Sequence, residues 1–321
     1  MDIRHADPGG LRQRLSQVFA ARPLLRGLLR ALGAGGFCFV LAGAGLLDGP
    51  VPLALAPVCV LPFGPAAICA YLGAAAGYAV FWGLSAALEP VAAGFLLLAG
   101  SCLLADLVPD EQGWLASAAA GGIYALLGVI FVLRADGGLQ AALQLILRLV
   151  LLTLSVRMLS PAPANARLRP YAAAVCLLAG LVRVQLPFGV PLAVIPAAAI
   201  CVLAAAGPEA LAVGAAGPEA LAVGAACGLV LDLGSVPSPP QTACFCFSLL
   251  ACRLAAGRKL ARAAVFSGMY FLCVLVWGGE HAGWTLGVAA GTLLACVLPP
   301  LPEHPAAEAR AAAPDALDQA A

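Results

Sequence analysis

The side chains able to do chemistry are few in this chain and poorly placed for it. The three histidines, His5, His281 and His304, lie in terminal or loop positions. Nucleophilic catalysis needs a Ser or Cys beside a positioned base. No G-x-S-x-G, H-E-x-x-H or G-x-x-x-x-G-K-[ST] motif occurs to supply one. The acids Glu89, Asp106, Glu209, Glu219, Asp232 and Glu280 fall near the ends of apolar blocks. Glu89 precedes Pro90 and is expected at a helix N-terminus, where the dipole favours a carboxylate. Asp48–Gly49 and Asp136–Gly137 read as turns. The residues therefore predict no catalytic, cofactor-binding or metal-binding site.

One polar stripe interrupts the apolar sequence: Gln140, Gln144, Arg148 and Ser155. At about 100° per residue they share an arc of about 80° on a helix. Such a face points into a bundle or toward a partner helix. Interhelical hydrogen bonding, with Arg148 snorkelling, is the ordinary use of it. A ligand site is the functional alternative.

The elements that carry these residues are membrane segments. The chain has 321 residues, of which 63% are apolar and only 10% charged. Ala66 to Leu84, Pro90 to Leu107, Leu115 to Leu133 and Ala263 to Gly278 each approach the roughly 20 residues that cross a hydrocarbon core. In lipid each backbone N–H must be satisfied internally, so the expected fold is all-α: a polytopic transmembrane bundle of about 10 to 12 spans. The spans are placed near 31–47, 51–62, 65–84, 89–108, 114–133, 138–158, 170–183, 187–206, 208–231, 241–256, 262–279 and 283–299. The second is short and contains Pro52, Pro57 and Pro62, so it reads as broken or re-entrant.

Charge distribution sets the expected topology. Arg4, Arg12, Arg14, Arg22, Arg26 and Arg30 precede the first span, in a basic amphipathic segment 1–30. Further basic clusters lie at Arg157, Arg167 and Arg169, and at Arg258, Lys259 and Arg262. Lys- and Arg-rich short loops stay in the cytoplasm. Both termini are therefore expected inside, in a multi-pass protein of the cell membrane. The membrane domain covers 31–300, and the Ala- and Pro-rich segment 301–321 reads as a disordered tail or linker.

Two further features have bland readings. The twelve cysteines are scattered, with no C-x-x-C, and behave as small apolar residues. The decapeptide AAGPEALAVG occurs twice in tandem, at 205–214 and 215–224. A helix would be rotated by about 280° and lengthened by about 15 Å by such a copy. One Gly-Pro is therefore expected in a loop, with Pro218 opening the next span.

In the C-terminal third the order of motifs becomes familiar. GAACGLVLDLGSVPSPPQ (224–241) leads to FCFSLLACRLAAGRKLARAAVFSGMYF (245–271), and TLGVAAGTLLACVLPPLPEH (285–304) closes the series. Together with VPLALAPVCVLPFGPAA (51–67) and EPVAAGFLLLAG (89–100), this resembles the membrane region of the stage II sporulation protein E family. The resemblance spans roughly residues 28 to 304. It implies an anchor at the division septum, in contact there with FtsZ, joined in that family to a metal-dependent serine phosphatase that activates the forespore sigma factor. No phosphatase motif is present in this sequence, so no catalytic position carries over, and Mn or Mg would belong to that absent domain. The stretch LVLDLGS is also similar to the rod-shape scaffold MreD, a family with about half as many spans.

The leading expectation is thus a non-catalytic membrane anchor and assembly module. Its expected partners are the lipid bilayer, further copies of itself and, by resemblance, septal proteins, with no nucleic acid among them. The alternative is a small-molecule transporter or its substrate-binding membrane subunit. Mid-membrane charge, which coupled transport uses, distinguishes the two.

Overall fold

A computed structural model of the chain describes residues 23–46, 49–104, 114–134, 138–161, 169–205, 218–234, 240–252, 255, 259–277 and 282–298. Eleven α-helices and two short β-hairpins make up these residues. The expected all-α bundle is what forms. Five helices are long and apolar enough to cross a membrane. Large apolar side chains such as Leu24, Val80, Leu126, Leu143, Val276 and Leu293 point outward. In water such surfaces would associate; in lipid they are the solvated face. Packing divides the chain into two units, residues 1–184 with 233–235, and residues 185–232 with 236–321.

The first unit opens with α1 (Pro23–Leu41). The helix is already formed at Pro23, eight residues before the expected span, because nothing between Leu24 and Ala31 breaks it, and so takes in Arg26 and Arg30. A hairpin follows, β1 (Gly45–Leu46) paired antiparallel with β2 (Gly49–Pro50). A 3₁₀ turn (Pro52–Ala54) and the six-residue α2 (Leu55–Val60) then return the chain. Glycine contacts show why a return is needed. A methyl placed on Gly73 would overlap the backbone of Gly35, and one on Gly77 would lie 2.5 Å from the Phe39 carbonyl oxygen. The indices rise together, so α1 runs parallel to the helix carrying Gly73 and Gly77. Two parallel neighbours require a descending connection, and residues 44–64 provide it. The short Pro-rich segment is broken in the way its prolines predict.

That next segment, α3 (Pro65–Leu104), is two helical arms joined by a reversal of direction. Tyr71 Oη donates to the Val91 carbonyl at 3.5 Å, and the Tyr71 and Phe95 rings are 6.4 Å apart. Residues 20 apart on a straight helix are separated by about 30 Å. The reversal occurs at Gly83, with φ 78° and ψ 165°, a conformation only glycine adopts freely. Two antiparallel arms, 65–82 and 84–104, correspond to the two spans expected there. α4 (Trp114–Arg134) and α5 (Leu139–Leu159) follow and pack against each other. The Ser117 hydroxyl donates across this contact to the Thr153 carbonyl at 3.0 Å. α6 (Arg169–Leu181) crosses α1, and its Gly180 meets Val40 and Leu41. The core is a cluster including Cys38, Leu41, Leu55, Tyr78, Tyr124, Leu152 and Val156.

The second unit repeats the plan. A hairpin of β3 (Gln185–Leu186) and β4 (Val190–Pro191) leads into α7 (Val194–Ala205). Then come α8 (Pro218–Gly234), α9 (Gln241–Cys252), α10 (Lys259–Trp277) and α11 (Ala282–Val297). Pro218 is the first described residue of its helix. The loop expected within the tandem decapeptide lies outside the described residues, as do 1–22 and the tail 301–321. α11 packs parallel along α7: Gly287 lies against Val190 and Val194, and Gly291 against Ile195 and Ala198.

The two hairpins share a sequence signature. VPLALAP (51–57) follows the first turn and VPLAVIP (190–196) the second. In both, the next helix starts directly after Val-Pro-Leu-Ala, and proline is its third residue. In both, the last helix of the series packs along the short helix after the hairpin. The hairpin, the short helix after it and the last helix that packs on it therefore recur as one design, separated by 139 residues at the shared motif.

Candidate functional site

The polar stripe on α5 does not act as one surface. Gln140 is exposed and Gln144 half-buried, while Ser155 is buried and donates to the Leu152 carbonyl one turn back at 2.8 Å. Such back-bonding satisfies the hydroxyl without a partner helix. Arg148 reaches across the unit. It lies in the middle of α5 and turns inward instead of snorkelling.

Its partner is Glu89. Arg148 Nη1 and Glu89 Oε2 are 3.7 Å apart, with 13% and 17% of the two side chains exposed. This corrects the expectation that Glu89 caps a helix. The helical arm starts at residue 84, after the Gly83 reversal, so Glu89 falls in its second turn, past the orphan N–H groups that a cap would serve. Buried Tyr124 of α4 lies beside both Glu89 and Arg148. Arg148 Nε is buried and has no hydrogen-bond partner among the described residues. An Arg–Glu pair at 3.7 Å is looser than the 2.7–2.9 Å of a charge-assisted hydrogen bond. A mostly buried pair of this kind is weak as a stabiliser, because desolvation offsets much of its attraction.

The first hairpin lies directly against Arg148. A Cβ on Gly49 would overlap Nη2 of the guanidinium. On the strand pairing, Gly45 faces Pro50 and Leu46 faces Gly49, so Gly45 and Gly49 present opposite faces. Against Gly45 lie Trp82 and Arg183: a methyl there would be 2.6 Å from Trp82 Cη2 and 3.2 Å from Arg183 Nε. Arg183 stacks on Trp82 at 3.7 Å from the ring centroid, within cation–π range. Trp82 Nε1 donates to the Ala42 carbonyl at 2.9 Å, and Tyr78 Oη to the Val51 carbonyl at 3.0 Å. The hairpin is thus gripped between two arginines and tied down at both ends by aromatic donors.

The second unit has a separate polar centre that is satisfied internally. Asp232, near the end of α8, accepts from the backbone N–H groups of Gln241 and Thr242 at 2.6 and 2.8 Å, and from the Thr242 hydroxyl at 2.5 Å. It therefore caps α9 from outside that helix. Buried Tyr270 donates to Gln241 Oε1 at 2.7 Å. Arg262 Nη1 donates to the Ala205 carbonyl at 3.0 Å, closing the C-terminus of α7. Among the described residues, no three His, Cys, Asp or Glu side chains converge on a metal-sized site, and all twelve cysteines are free thiols.

No protein-family model, no curated protein and no solved structure matches this chain. The residues that the stripe did not predict are Tyr78, Trp82, Tyr124 and Arg183, together with the pairing role of Glu89. They lie on three other helical segments and a loop, at separations that no helical period connects. The repeated Val-Pro-Leu-Ala motif was the available signal, since it marks both hairpins.

Proposed function

We propose that this chain is a non-catalytic multi-pass membrane module that anchors and assembles a complex through helix–helix contacts. The support is a set of glycines without a neighbour. A Cβ on Gly33 or Gly36 of α1, Gly122 of α4 or Gly268 of α10 would meet nothing within 4 Å among the described residues. Glycine inside a helix costs about 0.5–1 kcal/mol relative to alanine. At Gly35, Gly73 and Gly77 the cost is offset by close internal crossings. On the open faces, the same close approach is available to a helix of another chain. Both termini lie in the cytoplasm in this reading, on the arginine distribution. A role at the division septum beside a phosphatase, with FtsZ as partner, is the narrower form; it rests on the order of the motifs quoted above. Mass photometry of the purified chain in detergent tests the assembly reading. Oligomers that shift toward monomer in Gly36→Ile and Gly268→Ile support it, and a monomer at every concentration counts against it.

A second reading, a small-molecule transporter or solute-binding membrane subunit, draws on the Arg148–Glu89–Tyr124 cluster. Ionisable residues held inside a membrane bundle commonly mark a substrate or ion path. Its test is saturable solute uptake into liposomes containing the chain, lost in Arg148→Gln.

A further inference from the structure

We infer that the Arg148–Glu89–Tyr124 cluster binds a zwitterion, a small group that pairs an anionic oxygen with a primary ammonium. The inference rests on the second reading above, that the cluster takes a ligand at all, and adds the ligand's chemistry.

The two copies of the hairpin design supply an internal control. In the second unit α11 meets its hairpin through Gly283, whose added methyl would lie 2.5 Å from the Gly189 carbonyl oxygen. In the first unit α5 meets its hairpin through Arg148, at Gly49. The following contacts correspond: Gly287 and Gly291 lie one and two turns beyond Gly283 along α7, and Leu152 and Val156 lie one and two turns beyond Arg148 in the core that holds Leu55 and Val58. The design therefore closes with a glycine and no charge. An arginine and a glutamate at the same junction are not a packing requirement, and they carry the desolvation cost of two ions. A local rule broken in one copy and kept in the other marks function.

The pair also restricts its ligand. Arg148 and Glu89 sum to zero charge, so a ligand of net charge would leave an uncompensated ion in a mostly buried site. A zwitterion laid antiparallel to the pair leaves none. Its anionic oxygen meets the guanidinium, where the unpartnered Nε–H supplies a donor. Its ammonium meets the Glu89 carboxylate. The 3.7 Å gap between Nη1 and Oε2 marks a pair that is not locked by a short hydrogen bond. Buried Tyr124, beside both partners, closes the third side of the cluster. Two sources offer this chemistry: the headgroup of phosphatidylethanolamine and a free α-amino acid.

The test uses the full chain. Delipidated protein is exposed to equimolar phosphatidylethanolamine, phosphatidylcholine and phosphatidylglycerol, and bound lipid is counted by native mass spectrometry. In parallel, thermal melting is followed with L-alanine, sn-glycero-3-phosphoethanolamine and acetate. Phosphatidylcholine has the same phosphate but no ammonium N–H, and phosphatidylglycerol and acetate carry net charge. Phosphatidylethanolamine retained at least tenfold over phosphatidylcholine, with the preference lost in Arg148→Gln and Glu89→Gln, is the result expected for a lipid. A saturable rise in melting temperature with L-alanine, lost in the same variants, is the result expected for a free amino acid. If Arg148→Gln does not fold, Arg148→Lys is read instead; it keeps the charge, lacks Nε, and should weaken the preference at least fivefold. Acetate or phosphatidylglycerol binding that depends on Arg148, without zwitterion binding, overturns the proposal but leaves the cluster a ligand site. No Arg148-dependent binding by any probe overturns both.

Discussion

Gly43 and Gly180 hold α1 and α6 in backbone contact. A methyl on Gly43 would lie 2.5 Å from the Gly180 carbonyl oxygen, and one on Gly180 would overlap the Val40 carbonyl. Each glycine belongs to a Leu-Ala-Gly at or just past the end of a helix that leads to a hairpin, residues 41–43 and 178–180. Gly180→Val should therefore destabilise the first unit by about 1–3 kcal/mol through overpacking. Thermal melting in detergent measures this. Gly27→Ala, at a position with open space, is the matched control and should be neutral or stabilising by up to about 1 kcal/mol.

Asp232 tests the second unit. Asp232→Ala removes the acceptor for two backbone N–H groups and one hydroxyl at the start of α9. A lost cap costs about 0.5–2 kcal/mol. A lower melting temperature should be recovered in part by Asp232→Asn, which keeps one acceptor oxygen. Equal losses in the two variants would contradict the capping role.

Tyr270→Phe keeps the ring and its edge-on contacts with Phe245 but removes the hydroxyl that donates to buried Gln241 Oε1. Losing such a hydrogen bond costs about 0.5–1.5 kcal/mol. The double variant Tyr270→Phe with Gln241→Leu should lose less than the sum of the two single variants, because the shared hydrogen bond is counted once. A double-mutant cycle on melting gives the sign.

The arginine distribution predicts orientation. Protease or maleimide accessibility of tags at residues 5, 260 and 310 should report cytoplasm at all three. α1 then rises from the cytoplasm, which puts the hairpin end of the first unit, with Trp82 and Arg183, on the far side. A tag at 310 that reads as extracytoplasmic would overturn this topology.

The spans were legible because lipid imposes one requirement along the whole chain, a long apolar run with internal hydrogen bonding. Trp114–Arg134 and Leu139–Leu159 differ by a residue from the segments their apolar runs mark. The return through 44–64 was legible only as a short, proline-broken stretch, since its hairpin is two residues per strand and carries no alternating pattern. Glu89 was misread for a physical reason. Its proline neighbour suggests a helix start, but the reversal is made at Gly83, and glycine needs no sequence context to reverse a chain. The pairing with Arg148 joins residues 59 positions apart on separate helical segments, a separation set by packing and by no local periodicity.

The placement of α6 constrains how the chain is made. The helix precedes the second hairpin in sequence yet packs in the first unit, which runs on through Val184. A ribosome that has delivered residues 23–161 has synthesised the first hairpin and the helix that closes on it but not a whole folding body. Until α6 leaves the translocon, the face of α1 at Val40 and Gly43 waits in the bilayer for its partner. A chain severed at residue 165 would be cut between helices in sequence and through a folding body in space, and its two pieces should recover the fold only when inserted side by side in the same membrane.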